Sequence, residues 1–262
     1  MYGDCQELLQ LFGLPYIIAP SEAEAQCAWL DANGLVDGVV TDDNDVFLFG
    51  AKHVYRHIFE NRKYVEEYRT EDVERELGLD QDGLIALALL LGSDYTEGVA
   101  GIGIVNAIET VKAFQKEDGL RKFREWVMNP DEAELLAAQE ADPPDPYAGD
   151  DPEIAEYKRK HRNVRKNWEL PASFPDIRVI EAYRKASVDD SKERFTHGRP
   201  DAQLLRAFCK EKFNWNADKV DEILEPVLKA YDARQAQLTM DNFLSFNERF
   251  AKIKSKRLAK AV

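Results

Sequence analysis

The pattern of apolar and polar positions first indicates a set of strands separated by helices. Residues 16–19 and 35–41 are short apolar runs bounded by turn-forming residues, which predicts two buried strands. Residues 54–59 and 64–68 alternate between apolar and polar positions on either side of a turn at Glu60-Asn61, which predicts two paired strands. Strands interleaved with helices are typical of an α/β domain with a central, mostly parallel sheet that is flanked by helices.

Helical periodicity and helix-end signals predict the other elements, which dominate the second half of the chain. Ser21 is placed to cap a helix that ends at Asn33-Gly34, and Glu24 stands at the position of its capping-box partner. Thr70 is a second predicted cap, and Gly78 is expected to end the helix that follows it. Helices are predicted for residues 6–12, 22–32, 70–77, 82–91, 104–114, 177–185, 201–210 and 217–231.

The charge of the chain is distributed unevenly, which changes the meaning of its total. The 262 residues have a formal net charge of -14, and by itself such a balance argues against a nucleic-acid partner. Residues 131–157 hold ten acids and neither lysine nor arginine, and this proline-containing stretch predicts a solvated loop or disordered insert. The rest of the chain sums to -4, and to +2 without the six clustered acids considered below. Such a body can present a basic face, for which residues 158–166 are the candidate.

Several kinds of protein are disfavoured by the sequence. No apolar run approaches the roughly 20 residues of a membrane-spanning helix, and the first residues lack the pattern of a secretory signal. Cys5, Cys27 and Cys209 are far apart and without C-x-x-C spacing, so they predict reduced thiols in core positions and no zinc knuckle. His53 and His57 lie in a predicted strand, where we expect ordinary strand or surface residues in place of metal ligands.

The densest group of acids lies at the ends of a predicted helix and a predicted strand. Glu22 and Glu24 begin the helix, whereas Asp42, Asp43 and Asp45 directly follow the strand. The carboxyl ends of strands are where open α/β sheets hold their ligands. Two carboxylates about 4 Å apart repel by roughly 4 kcal/mol at an effective dielectric near 20, so converging acids require bound cations. The pattern predicts a divalent-metal site, although for Glu24 alone a capping role is the alternative.

A sixth acid and a glycine-rich turn follow the most apolar helix. Asp94 is either a simple loop cap or, if the fold brings it to the other acids, a further ligand. Residues 98–103 are not a dinucleotide-binding fingerprint, because no strand precedes them and the glycine spacing is wrong. A glycine hairpin between two helices can offer backbone N–H groups to a phosphate, and a plain tight turn explains the same glycines at least as well.

Three strings in this order resemble the internal nuclease region of the XPG/flap-endonuclease family of structure-specific nucleases, and within it the XPG branch. They are APSEAEAQCA from residue 19, VTDDNDVFLFG from residue 40 and LLGSDYTEGVAGIG from residue 90. The likeness covers residues 7–114 and resumes at residues 174–183, 188–192 and 198–201. It implies a 5′-nuclease or PIN-like α/β fold that carries a helix–two-turn–helix.

The resemblance assigns roles to residues by position. Asp42 matches a position that is not a ligand. The ligands implied for two Mg²⁺ ions, with Mn²⁺ as a substitute, are Glu22, Glu24, Asp43, Asp45 and Asp94. The carbonyls implied for a monovalent cation, expected to be K⁺, are those of Gly98, Val99 and Ile102.

DNA contacts are expected from the hairpin and from the basic run. In the family the helix–two-turn–helix grips the duplex backbone non-specifically, and here it corresponds to residues 84–114. Lysine and arginine beside such a site are candidates for phosphate contacts, although a basic run is often only a solvated helix face. The candidate residues are Gly101, Gly103, Lys158, Arg159, Lys160, Arg162, Arg165 and Lys166.

The activity implied by the resemblance is Mg²⁺-dependent cleavage of DNA at single-strand/double-strand junctions, of the type that cuts 3′ to a lesion in nucleotide-excision repair. Two metals about 4 Å apart can ionise a water and stabilise the leaving oxygen, which requires oxygen ligands and no covalent nucleophile. The alternatives are a flap endonuclease of replication, a non-catalytic DNA- and clamp-binding fragment, and a metal-dependent phosphatase of small substrates. Residence in the nucleus and other repair factors as partners are implied as well.

The predicted organisation has four parts: an α/β core over 1–95, a helix–two-turn–helix region over 84–130, the insert 131–157 and a helical region over 158–262. Nothing here matches the family's N-terminal region, which suggests a fragment and leaves open whether the chain is active alone. Residues 237–244 resemble a sliding-clamp binding peptide, but packing of a C-terminal helix explains them equally well. The clamp contacts would be Gln237, Met240, Phe243 and Leu244.

Overall fold

The structure, a computed structural model, describes residues 1–58, 65–115, 118–129 and 145–243, with side chains described as far as residue 234. It divides into a larger unit, residues 18–192, and a smaller unit made of residues 1–17 and 193–262. The described helices are α1 (Tyr2–Leu11), α2 (Ala23–Ala32), α3 (Asp45–Leu48), α4 (Thr70–Leu77), α5 (Gln81–Leu91), α6 (Ile104–Ala113), α7 (Gly119–Met128), α8 (Pro152–His161), α9 (Ile177–Arg184), α10 (Ala202–Phe213) and α11 (Ala217–Phe243). The described strands are β1 (Val39–Val40), β2 (His53–Arg56) and β3 (Glu66–Arg69).

Among the described residues, one sheet forms in the larger unit, with the strand order β1-β2-β3. β1 is parallel to β2, with Val39 opposite Val54. β2 is antiparallel to β3, from His53 opposite Arg69 to Arg56 opposite Glu66. The α/β class and the pairing of the two alternating segments are therefore confirmed, but these three strands are a mixed sheet and not a mostly parallel one.

The apolar runs that the sequence assigned to strands contribute little to the sheet. Residues 16–19 form no strand, and of residues 35–41 only Val39 and Val40 pair. The reason lies in the preceding helix end, where Gly34 has φ 68° and the Leu35 N–H donates to the carbonyl of Leu30 (3.0 Å). This left-handed helix end uses the first residues of the run, so the strand begins late.

Two predicted helix caps are wrong. α2 begins at Ala23 with Glu22 in the N-cap position, and neither Ser21 nor Glu24 forms the expected side-chain cap. Thr70 is the first residue of α4, and its hydroxyl donates to the Ala51 carbonyl (2.5 Å), which is a tertiary contact. Most of the other predicted helices form close to their expected bounds, but α11 continues to Phe243, well beyond its predicted end at residue 231. Without a capping box, the alternative structural role for Glu24 is removed.

A small apolar core holds α2, α3 and the sheet together next to the acids. Ala28, Val39, Val46 and Val54 are all buried and pack together. Buried Asp31, at the end of α2, accepts hydrogen bonds from the backbone N–H groups of residues 52 and 53 and so ties α2 to β2. The side chain of His53 also contacts Asp31, which accounts for this histidine without a metal.

A larger aromatic core joins α5 to α9. Phe123 is fully buried, and its ring contacts those of Phe114, Trp168 and Phe174 at centroid distances of 5.7, 5.7 and 6.2 Å. Tyr147 and α8 also belong to this core, although Tyr147 and the first six residues of α8 lie inside the predicted insert 131–157. Residues 131–144 of that insert lie outside the described residues. Its described end is packed, because Tyr147 and Tyr157 bury their rings there.

The smaller unit is helical, as predicted. α1 packs on α10, and the buried residues Phe208, Cys209 and Val220 form its centre. Phe213 is half exposed. Cys5 is exposed, in contrast to the core position expected for it. An ion pair and hydrogen bond with Lys212 lower the pKa of Asp4 to about 2.

In the part of the chain that the structure describes, no helix is long and apolar enough to cross a membrane.

Candidate metal centre and nucleic-acid interface

The loop after β1 is held by β2 in a way that separates its three aspartates. Arg56 donates to the Asp42 carbonyl (2.7 Å) and to Asn44 (2.8 Å), and Asp42 Oδ1 accepts from the N–H of His57 (2.9 Å). Asp42 is thus turned to β2. Asp43 Oδ1 accepts from the N–H of Asp45 (2.9 Å) in a local turn, and the other carboxylate oxygen, Oδ2, takes no part in this hydrogen bond.

Asp45, the first residue of α3, is fixed by a tyrosine from a distant part of the chain. The hydroxyl of Tyr183, in α9, donates to Asp45 Oδ2 (3.1 Å) and lies 3.0 Å from Ser93 Oγ. Tyr183 is 2% exposed, and its ring packs against Phe49 and Tyr95. Burial is the main cause that raises the pKa of Tyr183, so the hydroxyl stays protonated and remains a donor.

Tyr95 holds a second carboxylate in the same region. Its hydroxyl donates to Glu22 Oε1 (2.9 Å), although the two residues are 73 positions apart. Burial, followed by the bond to Glu22 and the charges of Glu22, Asp45 and Asp94, raises the pKa of Tyr95 to about 12. The rings of Tyr95 and Tyr183, which are in contact at a centroid distance of 5.0 Å, therefore link the start of α2 to the start of α3.

The acids predicted from sequence lie in one neighbourhood. Burial raises the pKa of Asp45, and the charges of Asp43, Asp94 and Glu24 raise it further, while the bond from Tyr183 acts in the opposite direction. The other three carboxylates therefore lie near Asp45, and Tyr95 connects Glu22 to the group. The fold thus brings together Glu22, Glu24, Asp43, Asp45 and Asp94 from α2, the loop after β1, α3 and the loop after α5.

The donor set is suited to a hard divalent cation. Among the described residues, no group of three or more carboxylate, imidazole or thiol side chains is arranged so that it could already hold a metal ion. Glu22, Asp43 and Asp94 are exposed, whereas Glu24 and Asp45 are half-buried. Mg²⁺ commonly uses one or two carboxylates, several waters and substrate phosphates in place of a complete protein cage. An open group of carboxylates fits that requirement, and its mutual repulsion favours bound cations.

The glycine hairpin between α5 and α6 is confirmed, and it is tightly packed. The N–H of Val99 donates to the Leu90 carbonyl (2.8 Å), and residues 93 and 96 form a bridge. Gly98 has φ 78°, and a Cβ there would lie 2.5 Å from the backbone of Gly92. A side chain at this position is excluded by both conformation and space. The hairpin leads directly into the N-terminus of α6 at Ile104.

The basic run takes part in contacts within the protein. Lys158 pairs with Asp150 (2.8 Å), Arg159 with Asp145 (2.6 Å) and Lys160 with Glu109 (2.5 Å). Arg165 is buried and lies over the Trp126 ring, so we do not retain it as a DNA contact. Arg162 and Lys166 are exposed.

Sequence reasoning missed four residues that arrange the acids or the helix that carries two of them: Arg56, Tyr95, Tyr183 and Gln26. Gln26 is 3% exposed, donates to the Asp189 carbonyl (3.0 Å) and accepts from the Asp189 N–H (2.7 Å). It thereby fastens residues 188–192 to α2. The available signal for Gln26 was its position: a long polar side chain between Ala25 and Ala28 on a buried helix face requires a partner.

Comparison with known proteins agrees with this geometry. The profile of the XPG I-region matches residues 13–94, a range that contains the five carboxylates. The catalytic core of Rad2 (complex I) superimposes with a TM-score of 0.69 at 39% identity, over 86% of this chain and 73% of that one. Rad2 in complex with DNA substrate (complex III) gives 0.71 at 40% identity, over 86% and 65%. The fold is therefore that of the 5′ nucleases.

Curated relatives narrow the class. The DNA excision repair protein ERCC-5 homolog of Xenopus laevis is 45% identical over 99% of this chain, and the DNA repair protein rad13 of Schizosaccharomyces pombe is 43% identical over 95%. The chain spans about a fifth of each, 21% of their length. The Holliday junction-resolving enzyme GEN1, with product DNA, Mg²⁺ and Mn²⁺, has a TM-score of 0.65 at 27% identity over 90% of this chain and 58% of that one. The chain belongs to the XPG/flap-endonuclease family, in its XPG branch.

Proposed function

We propose that this chain acts in a Mg²⁺-dependent, structure-specific DNA endonuclease that cuts at single-strand/double-strand junctions and makes the incision 3′ to a lesion in nucleotide-excision repair. The observation that carries the proposal is the grouping of Glu24, Asp43 and Asp94 near Asp45, with Glu22 joined to the same group through Tyr95. The names of the ERCC-5 and rad13 relatives, which refer to DNA repair, support it.

We assign Glu22, Glu24, Asp43, Asp45 and Asp94 as ligands of two Mg²⁺ ions, with Mn²⁺ as a substitute. All five offer carboxylate oxygens, which these cations prefer. The ions recorded in the GEN1 complex support the assignment. When bound, such ions supply positive charge beside the scissile phosphate and lower the pKa of the attacking water.

The contribution of the protein itself is to hold the carboxylates ready. Tyr183 orients Asp45, Tyr95 orients Glu22, and Arg56 fixes the loop that carries Asp43. Partners of this kind orient metal ligands and commonly affect metal affinity or activity by about 10- to 100-fold. The site therefore needs no nucleophilic side chain, because the attack is made by water.

Duplex DNA is held, in this proposal, by the glycine hairpin and the start of α6. The hairpin can direct the backbone N–H groups of Gly101 and Gly103 to phosphates, and the helix dipole adds to the attraction. We assign the carbonyls of Gly98, Val99 and Ile102 to a K⁺ ion in the same turn. Val99 is buried and its carbonyl accepts from the N–H of Ile102 (3.3 Å), which keeps this turn compact.

Residence in the nucleus and contacts with a sliding clamp and repair factors complete the proposal. The clamp contacts are assigned to residues 237–244. The backbone of residues 237–243 belongs to α11, but their side chains and Leu244 lie outside the described residues. The proposal for this peptide therefore depends on its sequence alone. Localisation of a tagged protein and clamp capture by residues 217–262, with Phe243→Ala as the control, test it.

The test of the nuclease proposal is cleavage of labelled bubble, 5′-flap and plain duplex DNA with Mg²⁺, with the Rad2 catalytic core as the positive control. Cutting at junctions that is lost in Asp43→Ala supports the proposal, and a preference for bubbles over flaps supports the excision-repair type. A preference for flaps identifies a flap endonuclease. Junction binding without any cutting, under conditions in which the Rad2 core cuts, contradicts the proposal and favours a non-catalytic DNA-binding module.

Replacement of Tyr183 by phenylalanine tests the positioning of Asp45. The variant keeps the ring that packs against Phe49 and Tyr95 but loses the hydroxyl that Asp45 accepts. We expect cleavage at limiting Mg²⁺ to fall by about 10- to 100-fold and to recover partly at high Mg²⁺. Mg²⁺ titration of the cleavage rate measures this, with Tyr68→Phe, an exposed tyrosine of β3, as the control. Equal losses in both variants would contradict a specific role for Tyr183.

A further inference from the structure

The glycine hairpin is fastened to residues 157–169, which we call the brace segment. The N–H of Ala100 donates to the Glu169 carbonyl (3.1 Å), and the N–H of Glu169 donates to the Ala100 carbonyl (3.0 Å). Gly101, with φ 85°, lies so close to the brace segment that a Cβ would stand 2.4 Å from the carbonyl oxygen of Asn167. The turn of the hairpin is therefore pinned from one side by backbone contacts.

The same segment also holds α6, the helix that the hairpin enters. Glu109 of α6 lies 2.7 Å from Nε2 of His161 and 2.5 Å from Nζ of Lys160. The buried hydroxyl of Thr110 lies 2.6 Å from that of Tyr157. Glu109 and Thr110 are consecutive residues of α6, and both contact α8. These adjacent contacts fix the rotation of α6 relative to α8 as well as the distance between the two helices.

Burial makes the Glu109 contact costly to lose. The His161 side chain is 5% exposed and packs against the Tyr157 ring at a centroid distance of 4.3 Å. Removing the carboxylate would leave a buried imidazole without its partner, which costs more than an exposed contact would. The hydrogen bond from Lys160 lowers the pKa of Glu109, so the carboxylate is charged at neutral pH.

The far end of the brace segment is anchored in the aromatic core. Arg165 donates to the Trp126 carbonyl (2.5 Å), and its guanidinium lies 4.8 Å from the centre of the Trp126 ring. Trp168 is 5% exposed and packs against Phe123. Within the basic run, Arg165 thus points to the protein interior and Lys160 contacts α6. In a phosphate-binding surface, these charges would be directed to the solvent.

We propose that the brace segment sets the position of the glycine hairpin for DNA binding, with Glu109 and His161 as positioning residues and Lys160 acting through Glu109 and not on a phosphate. The inference rests on the proposed function, because it assumes that the hairpin contacts DNA. It explains why a strongly basic stretch lies directly beside the helix–two-turn–helix.

Salt dependence separates positioning from direct phosphate contact. Each phosphate that a side chain neutralises contributes roughly -0.9 to the slope of log K against log salt concentration for duplex DNA. A residue that only positions the hairpin changes the affinity and leaves this slope as it was. A lysine that binds a phosphate changes both.

The experiment measures junction-DNA affinity at salt concentrations from about 50 to about 200 mM, a range over which the slope can be determined. The kcat and KM of cleavage are measured as well. We expect Glu109→Ala to weaken binding by about 2- to 30-fold with an unchanged slope, raised KM and nearly unchanged kcat. Glu109→Gln, which still accepts from His161, should recover most of the affinity. Glu125→Ala, with the same change of charge on the exposed face of α7, should bind like the parent.

Lys160→Met is the second variant, because the lysine is 61% exposed and its loss does not threaten folding. We expect a smaller loss of affinity than in Glu109→Ala and an unchanged slope, whereas a slope reduced by about 0.9 would overturn the assignment of Lys160. Hydrogen exchange at the Ala100 and Glu169 amides should quicken in Glu109→Ala. Unchanged affinity and exchange in that variant overturn the positioning role alone. Failure of the parent chain to bind any DNA overturns the proposed function itself.

Discussion

Replacement of Asp45 by asparagine is expected to abolish junction cleavage and to leave the fold intact. Burial and the charges of Asp43, Asp94 and Glu24 act together on the Asp45 carboxylate, so it lies near three other acids of the proposed metal site. Asparagine keeps the shape and can still accept from Tyr183, but it removes the charge that attracts the cations. A fall in single-turnover cleavage on the order of 10³-fold or more is expected, since each tenfold corresponds to about 1.4 kcal/mol.

In contrast to its cleavage activity, the folding stability of Asp45→Asn should not decrease. The raised pKa of Asp45 means that the folded protein disfavours its charged form, so the stability that this group contributes is present at low pH and lost as the pH rises through its raised pKa. Asparagine is neutral at every pH. Without divalent ions, the melting temperature of Asp45→Asn near pH 7 should therefore equal or exceed that of the parent, and added Mg²⁺ should raise it less.

Asp42→Asn is the matched control, because it makes the same change of charge three residues away. Asp42 accepts from the His57 N–H, which asparagine can also do, and we assign no metal to it. We expect cleavage close to that of the parent. If Asp45→Asn cuts at a tenth of the parent rate or faster, or if both variants are equally inactive, the assignment of Asp45 as a ligand is wrong.

The largest loss of stability is expected from Phe123→Ala. Phe123 is fully buried at the centre of the aromatic core, and its ring contacts Phe114, Trp126 and Trp168 among others. The substitution removes this apolar surface from the interior and leaves a cavity, which typically costs about 3–5 kcal/mol. The free energy of unfolding in urea, followed by tryptophan fluorescence, measures the change in the unit that contains this core.

The control for this substitution is Phe213→Ala, which removes the same side chain from a half-exposed site in α10. We expect a cost of about 1 kcal/mol there, because much of that ring is already in contact with water. Similar costs for the two variants would show that Phe123 is not the centre of a tightly packed core. Junction binding should also weaken in Phe123→Ala, since Trp168 of the brace segment packs on this ring.

The sequence by itself predicted most of the helices and, through its family strings, identified the acids that we propose as metal ligands. Helix periodicity is a local property, and the predicted bounds of α5, α6 and α9 were close to those observed. The acids were also recognisable, because Glu22, Asp43 and Asp94 lie in strings whose order is characteristic of the family. The profile match over residues 13–94 confirms that recognition of the family.

Only the tertiary structure decided how these parts are used. Strand length depended on where the end of α2 released the chain, and the sheet proved to be mixed. The partners of Lys160 and Asp45 are 51 and 138 residues away, so no local pattern could indicate them. A basic run has the same composition whether it faces phosphates or its own helices. The sequence shows which residues are charged, but long-range packing determines which groups they contact.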